Sequence, residues 1–157
     1  MTTQLDDLLA RLVLMQKDAV TGSDSVVAFF YAQESPIFWV NRLVNVSVEL
    51  ESEQLQTNTY TIVMRLVLAK VTQGFEQEAE QMIHTWLPAV LQYFAARRQL
   101  KRTVDDAAVS YLDPRGAVIT EAVPQYNLQQ SGTGATLFGV DFSIEVPMYM
   151  ATDQVIY

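Results

Sequence analysis

Apolar and polar residues alternate over a long stretch near the end of the chain, from Leu137 to Met150. Because successive side chains of a β-strand point to opposite faces of the sheet, this alternation predicts a strand with one packed and one wet face. Pro147 has no N–H to donate, which predicts that the strand lies at a sheet edge or leaves the sheet there. The following segment ends in apolar Val155, Ile156 and Tyr157, which could dock on a neighbouring subunit or fold back on the same domain.

A second alternating pattern predicts a long β-hairpin in the first half of the chain. Val44, Val46, Val48 and Leu50 alternate with polar residues in a strand predicted from Arg42 to Leu50. A second strand is predicted from Thr59 to Thr72, and the polar stretch from Glu51 to Asn58 predicts a flexible turn between them. The bulky residues between Ser25 and Val40 flank a turn signal, so that segment is interpreted as one or two short strands or an ordered loop.

A further hairpin is predicted between Ala107 and Val123. The sequence Asp113-Pro114-Arg115-Gly116 has the residue preferences of a type I turn, with Asp first, Pro second and Gly fourth. Residues from Pro124 to Ala135 are rich in turn formers and are predicted to be a loop.

Two helices are predicted from apolar residues that recur every three or four positions. The first runs from about Thr3 to Val20, and Thr3 with Asp6 has the form of a capping box. The second begins after Gly74 and carries an apolar stripe as far as Phe94. Pro88 lies inside this pattern and predicts a kink or a break, with the stripe continuing across it.

The elements together predict an α+β fold: a mostly antiparallel sheet with two long hairpins, packed against an N-terminal and a central long helix. At 157 residues the chain is interpreted as one domain, residues 1–157. The net charge of -8 argues against a basic nucleic-acid binder, although an acidic wall would let DNA slide past without sticking. The chain has no cysteine and no uninterrupted apolar run of membrane-spanning length, so we expect a cytoplasm-like environment and no membrane contact.

Candidate chemistry is sparse, and we predict no catalytic, cofactor-binding or metal-binding residues and no enzymatic activity. His84 is the only histidine, and no local motif supplies it with catalytic partners. Arg97, Arg98, Lys101 and Arg102 form a basic cluster at or past the end of the second helix. Favourable charges at a helix C-terminus explain this cluster more simply than an anionic ligand does.

Some large apolar and some acidic residues suggest contacts between subunits instead. Phe38 and Trp39 are of the type enriched at interfaces, although burial in the protein's own core explains them equally well. The acidic residues of the first hairpin's tip could serve solubility or form a repulsive lining. The candidate interface residues are Phe38, Trp39, Glu49, Glu51, Glu53, Pro147, Met148, Tyr149, Met150, Ile156 and Tyr157.

Four sequence segments make the predicted order of helices and strands more specific. They are Phe38-Trp-Val-Asn-Arg42, the strand from Tyr60 to Leu66 leading into Gly74-Phe75, the helical Leu87-Pro-x-Val-x-x-Tyr-Phe94, and the closing Gly139-Val-x-Phe-x-Ile-x-Val146. With these segments in this order, the chain from Ile37 to Met150 resembles the tail terminator proteins of long-tailed bacteriophages, also described as tail completion or tail-to-head joining proteins.

The resemblance implies a structural virion protein located in the tail or neck and assembled in the host cytoplasm. Its expected form is a homohexameric ring that caps the tail tube, halts polymerisation of the tube and meets the connector of the head. The expected partners are further copies of the chain, the tail tube protein and a head-completion or connector protein. Genomic DNA would pass through the lumen of the ring without specific binding.

Two alternatives come from other classes of protein. A curved antiparallel sheet of this size could form a cone-shaped pocket, as in the enzymes and ligand-binding proteins that resemble nuclear transport factors. Aromatic residues would then line a cavity, but a pocket enzyme should also show convergent His, Asp and Tyr groups, and this chain has one histidine. Another ring or adaptor protein of the phage neck is the third possibility.

Overall fold

The computed structural model of the chain describes residues 3–26, 37–68, 76–129 and 136–151. The elements in chain order are α1 (Gln4–Ala19), β1 (Asp24–Val26), β2 (Ile37–Leu50), β3 (Leu55–Leu68), α2 (Glu76–Ala95), β4 (Val118–Gln129) and β5 (Thr136–Ala151). The strands form one sheet in the order β1-β2-β3-β5-β4. Only the β1–β2 pairing is parallel within these residues, so the predicted α+β fold with a mostly antiparallel sheet is confirmed.

The start of α1 has the predicted capping box. The backbone N–H of Asp6 donates to the Thr3 hydroxyl, and the Asp6 carboxylate accepts from the backbone N–H of Thr3, each at 3.1 Å. These hydrogen bonds satisfy groups that a helix start otherwise leaves unpaired, and the backbone bond lowers the pKa of Asp6. The helix therefore begins where the local sequence signal predicts.

Helix α2 runs without a break through Pro88, so of the predicted kink or break, the break is wrong. A proline inside a helix removes one backbone hydrogen bond and clashes with the preceding turn, at a cost of about 3 kcal/mol. Here Ile83, Trp86 and Val90 are buried on both sides of the proline. Their packing in the core stabilises the helix on both sides of Pro88, since tertiary contacts supply most of a helix's stability.

The β2–β3 hairpin is longer and its turn shorter than predicted. Strand β2 begins at Ile37 instead of Arg42, and β3 begins at Leu55 instead of Thr59. The turn is confined to residues 51–54, where the backbone N–H groups of Glu51 and Ser52 donate to the Leu55 carbonyl. Polar residues enter β3 here because the strand is paired on both sides, with β2 and with β5. The predicted strand residues 69–72 lie outside the described residues.

The second hairpin is formed by β4 and β5, and the hairpin predicted between Ala107 and Val123 is wrong. The turn at Asp113 does form, with the backbone N–H of Gly116 donating to the Asp113 carbonyl at 2.9 Å, but it precedes β4. The first half of the predicted loop, as far as Gln129, is strand. Pro124 is tolerated because β4 lies at the edge of the described sheet, where one side of the strand has no partner.

Strand β5 matches its predicted range closely, but it lies between β3 and β4 instead of at an edge. Its pairing with β3 continues past Pro147 to the pair Ala151 and Leu55. The prediction that the chain leaves the sheet at Pro147 is therefore wrong. Pro147 is accommodated because β4 pairs with β5 no further than Glu145, and the missing donor of Pro147 faces the side that β4 has left.

Both helices cover the same face of the sheet and share one core with it. Its buried members include Leu8, Leu12 and Met15 of α1, Ile83, Val90 and Phe94 of α2, and Trp39, Ile62, Met64, Leu66, Val140, Phe142, Ile144 and Val146 of the sheet. We call this side of the sheet the helix-facing side. The opposite side carries an ion pair between the central strands, in which Arg65 donates to both carboxylate oxygens of Asp141 at 2.7 and 2.9 Å.

Candidate assembly surface

Strand β2 passes from a buried to an exposed environment within its own length. Trp39 is fully buried, whereas every residue from Arg42 to Leu50 is exposed. Val48 and Leu50 are 58% and 71% exposed. Strand β1 pairs with β2 only as far as Val40, so the second half of β2 is an edge strand within the described part of the chain. An exposed apolar edge of this kind is a natural site for association with another chain.

A β-bulge at Val44 decides which way these side chains point. Leu43 lies opposite Ile62, and Asn45 lies opposite Thr61, so Val44 is one extra residue on β2. After the bulge, Val46 lies opposite Tyr60, a core residue on the helix-facing side. One inserted residue exchanges the two faces of a strand. The bulge therefore places Val46, Val48 and Leu50 on the helix-facing side; we call these residues the β2 stripe.

The hairpin tip beside the β2 stripe is acidic and exposed. Glu49, Glu51 and Glu53 fall within five consecutive residues, and all three are exposed. The Glu51 carboxylate accepts a hydrogen bond from the hydroxyl of Thr57 at 3.0 Å, which ties the turn to β3. These positions are accessible to a partner or to a channel, as the sequence-based hypothesis requires.

Phe38 and Trp39 lie inside the subunit, which corrects their prediction as interface residues. Trp39 packs its ring on Phe142, with 5.9 Å between ring centroids, and its indole N–H donates to the Ser23 hydroxyl at 3.1 Å. Phe38 is 1% exposed on the opposite side of the sheet. Burial in the protein's own core, the alternative explanation, accounts for both residues. Phe29, Phe30 and Tyr31, which precede them, lie outside the described residues.

The predicted contact residues at the end of β5 divide between core and surface. Pro147 and Met148 are buried, so neither is available to a partner in this conformation. Tyr149 is half-buried and hydrogen-bonds the Asp113 carboxylate, which raises the pKa of Tyr149. Met150 is 41% exposed and lies in the same cross-strand row as Leu50 and Gln56. Ile156 and Tyr157 lie outside the described residues.

The basic cluster after α2 mainly holds the connection between α2 and β4 against the two helices. The guanidinium of Arg97 donates to the Tyr93 carbonyl in the last helical turn and lies 4.0 Å from the centre of the Tyr93 ring. Arg102 forms a two-pronged ion pair with Asp18 of α1, at 2.6 and 2.9 Å. Hydrogen bonding from Arg102 lowers the pKa of Asp18. The interpretation as structural helix-end charges fits these contacts.

A second set of hydrogen bonds joins the same connection to α1. Arg11 of α1 donates to the Leu100 carbonyl and to the Asp106 carboxylate, both at 2.8 Å. Leu100 is fully buried with a positive φ of 55°, a conformation that a residue with a Cβ rarely adopts. Contacts on every side must therefore hold this turn, and Arg11 supplies one of them.

Helix α2 and strand β4 enclose a groove of about 400 Å³ at the other edge of the sheet. The lining residues are Leu91, Phe94, Ala95, Arg98, Ala117, Val118 and Ile119. The side chain of Val118 is 40% exposed in this groove. Arg98 is exposed at the lip, where its guanidinium donates to the Arg115 carbonyl at 2.7 Å. We call this feature the α2–β4 groove.

The groove closes tightly at Gly116, which precedes β4. Gly116 has a φ of +79°, and a Cβ at this position would lie 2.6 Å from the Arg98 carbonyl oxygen. The backbone N–H of Ala117 donates to the same carbonyl at 2.7 Å. Only glycine fits this close approach of two backbones. The end of α2 and the start of β4 are thereby held together.

Within the described ranges, no group of three or more His, Cys, Asp or Glu side chains could hold a metal ion. His84 is exposed on α2. Neither described helix combines the length and the apolar character needed to cross a membrane. The aromatic residues Trp39 and Phe142, which a pocket protein would place on a cavity wall, are packed against each other in the core.

Sequence reasoning missed both the bulge and the groove. The bulge had a signal, because the apolar positions of β2 change from odd-numbered (Trp39, Leu43) to even-numbered (Val46, Val48). The groove had none, since it depends on how α2 and β4 meet in space. A scan against protein-family models gave no match, and a search of curated proteins gave none either.

Proposed function

We propose that the protein is a structural component of a bacteriophage virion that forms a homohexameric ring at the tail or neck. The ring caps the tail tube, stops its polymerisation and joins the tail to the head connector. Its partners are further copies of the chain, the tail tube protein and the head-completion protein. Genomic DNA passes through the lumen, and the net charge of -8 favours passage without specific binding.

The observation that carries this proposal is the exposed second half of β2. Val46, Val48 and Leu50 are large aliphatic side chains held in a rigid strand and exposed to solvent. Natural edge strands are usually protected by charges, by proline, by bulges or by being short. This stretch has the bulge at Val44 and one acidic residue, Glu49, yet it presents an aliphatic side chain at every second position from Val44 to Leu50. A subunit that exposes such an edge gains free energy by burying it in an assembly.

The segments behind the family resemblance form the centre of the fold. Their described parts lie on β2, β3, α2 and β5, which are the strands and the helix that build most of the core, whereas Gly74 and Phe75 lie outside the described residues. The resemblance is thus carried by packing positions and supports a shared scaffold. The ring and its role in the tail follow from the resemblance and from the exposed edge together.

The proposal is tested first by the mass and appearance of the purified chain. Light scattering should give the mass of six chains, and electron microscopy should show rings with a central channel. In a phage that lacks the protein, tails should reach uncontrolled lengths, and supplying the wild-type chain in trans should restore a uniform length. A monomer at all concentrations, together with tails of normal length in its absence, would contradict the proposal.

A further inference from the structure

We infer that the β2 stripe of one subunit seats in the α2–β4 groove of the next subunit, so that the second copy of the chain is the occupant of the groove. This inference rests on the proposed function, because it names the surfaces that join the ring. It also specifies the contact as heterologous, meaning that two different patches meet. Such a contact repeats from subunit to subunit and closes when the rotation between neighbours divides a full turn.

The inserted surface is rigid and complementary in chemistry to an apolar groove. Val46, Val48 and Leu50 share one side of β2 because the bulge at Val44 sets their phase. Their strand is paired along its whole length with β3, which is paired in turn with β5. An ordered β-strand loses little conformational entropy on binding, so most of the free energy from burying its side chains goes into association.

The receiving surface offers apolar walls and a free strand edge. Leu91 and Ala95 of α2 face Val118 and Ile119 of β4 across the groove. Strand β4 is paired only with β5 among the described residues, and within those residues its outer edge has no strand partner. A strand that approaches this edge from a second subunit meets both apolar side chains and main-chain partners, as in other strand-addition complexes.

The charges beside the two surfaces are of opposite sign. Glu49 and Glu51 lie at the hairpin tip next to the stripe, with Glu49 and the Glu51–Thr57 hydrogen bond on the opposite side of the sheet. Arg98 stands exposed at the lip of the groove, and it takes part in none of the four ion pairs formed by the described residues. The neighbouring Arg115 is already paired with Asp113 of its own chain, so Arg98 carries the positive charge of the lip. Opposite charges at the rim steer the two patches together and favour this register over others.

The two surfaces also lie at different edges of one sheet. In the order β1-β2-β3-β5-β4, the stripe is on the side of β2 and the groove is beside β4. A chain with complementary patches at opposite edges can bind one neighbour on each side. A symmetric pair formed through two β2 strands would instead close at two copies and leave the groove and the β4 edge uncovered.

Cysteine cross-linking tests the contact directly because the natural chain has no cysteine. Val48→Cys and Ala95→Cys place one thiol on the stripe and one at the groove, both at exposed positions. A short bis-maleimide reagent should convert the assembled double variant into a ladder of covalent oligomers that ends at six chains. The matched control carries Val48→Cys with Ala89→Cys, which is exposed on α2 outside the groove lining and should remain mostly uncross-linked.

Three results of this experiment have distinct meanings. A ladder specific to the Ala95 partner supports the inference. A covalent dimer from Val48→Cys alone would show a symmetric β2–β2 contact and overturn it. Rings of normal mass that give no ladder would also overturn it while leaving the proposed function intact, whereas a chain that never forms rings would overturn the proposed function itself.

A charge reversal provides a second, independent test. Arg98→Glu should weaken ring formation by about tenfold, since it turns an attraction at the rim into a repulsion. Adding Glu49→Arg and Glu51→Arg should restore assembly to within a factor of about three. Unchanged assembly in Arg98→Glu, or a loss that the reversed tip does not rescue, would contradict the charge pairing. Circular dichroism of each variant separates loss of assembly from loss of folding.

Discussion

The two halves of strand β2 contain similar residues in opposite environments. Its first half carries Trp39 into the core beneath α1, where the ring meets Phe142 and the hydroxyl of Ser23. Its second half carries Val48 and Leu50 beyond the helices into solvent. The change follows a single bulge at Val44, which keeps the apolar residues on the helix-facing side after α1 no longer covers them.

This difference separates stability from assembly along one strand. Side chains in the first half hold the subunit together, because removing them would leave a cavity in a close-packed core. Side chains in the second half contribute little to the isolated subunit, since water surrounds them both before and after folding. Substitutions in the first half should therefore change the free energy of unfolding, and substitutions in the second half should change assembly.

The largest effect is expected for Trp39→Ala. The substitution removes a fully buried ring and leaves the Ser23 hydroxyl without its indole partner, at a cost of about 3–5 kcal/mol in the free energy of unfolding. Val48→Ala, in the exposed half, should change the free energy of unfolding by no more than about 0.5 kcal/mol. Urea denaturation at low protein concentration measures both. Similar losses for the two variants would contradict the division of β2 into a folding half and an assembly half.

Substitutions at two glycines test how rigidly the end of α2 is held against the start of β4, beside the α2–β4 groove. Gly116→Ala should destabilise the chain more than Gly22→Ala, although both glycines have positive φ angles, of 79° and 86°. Each substitution carries the left-handed penalty of about 1–2 kcal/mol. At Gly116 the new methyl also meets the Arg98 carbonyl oxygen, which adds about 1–3 kcal/mol, whereas at Gly22 it meets open space.

Thermal denaturation of both glycine variants provides the comparison. Equal melting temperatures would mean that the end of α2 and the start of β4 separate easily. The α2–β4 groove would then be flexible in the isolated subunit and not preformed.

Acid should loosen the helix layer through the ion pair between Asp18 and Arg102. Hydrogen bonding to Arg102 lowers the pKa of Asp18 in the folded chain, so the unfolded chain takes up the proton first as the pH falls. The pair's contribution is therefore complete above the ordinary aspartate value of about 3.9 and disappears as the pH falls through the lower folded value.

A double-mutant cycle measures this pair. Asp18→Asn should flatten the fall in stability between pH 5 and pH 2 in the wild-type background. In an Arg102→Gln background the same substitution should have a much smaller effect on that slope, because the partner is already gone. An identical change of slope in both backgrounds would show that Arg102 is not the cause.

The smallest effect on the subunit, and the largest on assembly, is expected for Val48→Asp combined with Leu50→Asp. The melting temperature of the wild-type chain should rise with protein concentration, because assembly adds about 1 kcal/mol per subunit for each tenfold increase. The double variant should melt at a temperature independent of concentration. Val104→Asp, at a 92% exposed position away from the stripe, is the matched control and should behave as the wild type.

Local signals predicted the elements that form on local grounds. Helix α1 begins at its capping box, and β5 follows its alternating pattern almost residue for residue. Strand β4 could not be predicted in this way, because Pro124 and two register shifts interrupt its pattern. It is a strand because β5 lies beside it, a long-range cause that no short window of sequence contains.

The candidate surface was predictable only in part. The alternation from Val44 to Leu50 indicated a strand with an apolar face, but not that this face would be exposed. Phe38 and Trp39 have the composition of an interface and the burial of a core, since large aromatic residues serve both purposes. Burial depends on whether another element reaches the residue: Gln16 of α1 hydrogen-bonds Asn41 in the first half of β2, whereas Val48 in the second half is 58% exposed.

Pro147 has a consequence for how the sheet is kept in register. Its carbonyl accepts from the backbone N–H of Asp113 at 2.9 Å, and the Tyr149 N–H donates to the Tyr111 carbonyl at 2.7 Å, so residues 111–113 occupy the side of β5 beyond the end of β4. If β4 slid along β5 by two residues, it would face a nitrogen with no hydrogen and displace this segment. Pro147 therefore fixes where the pairing between β4 and β5 ends. This makes sliding of β4 along β5, and exchange of β4 for another strand, unfavourable.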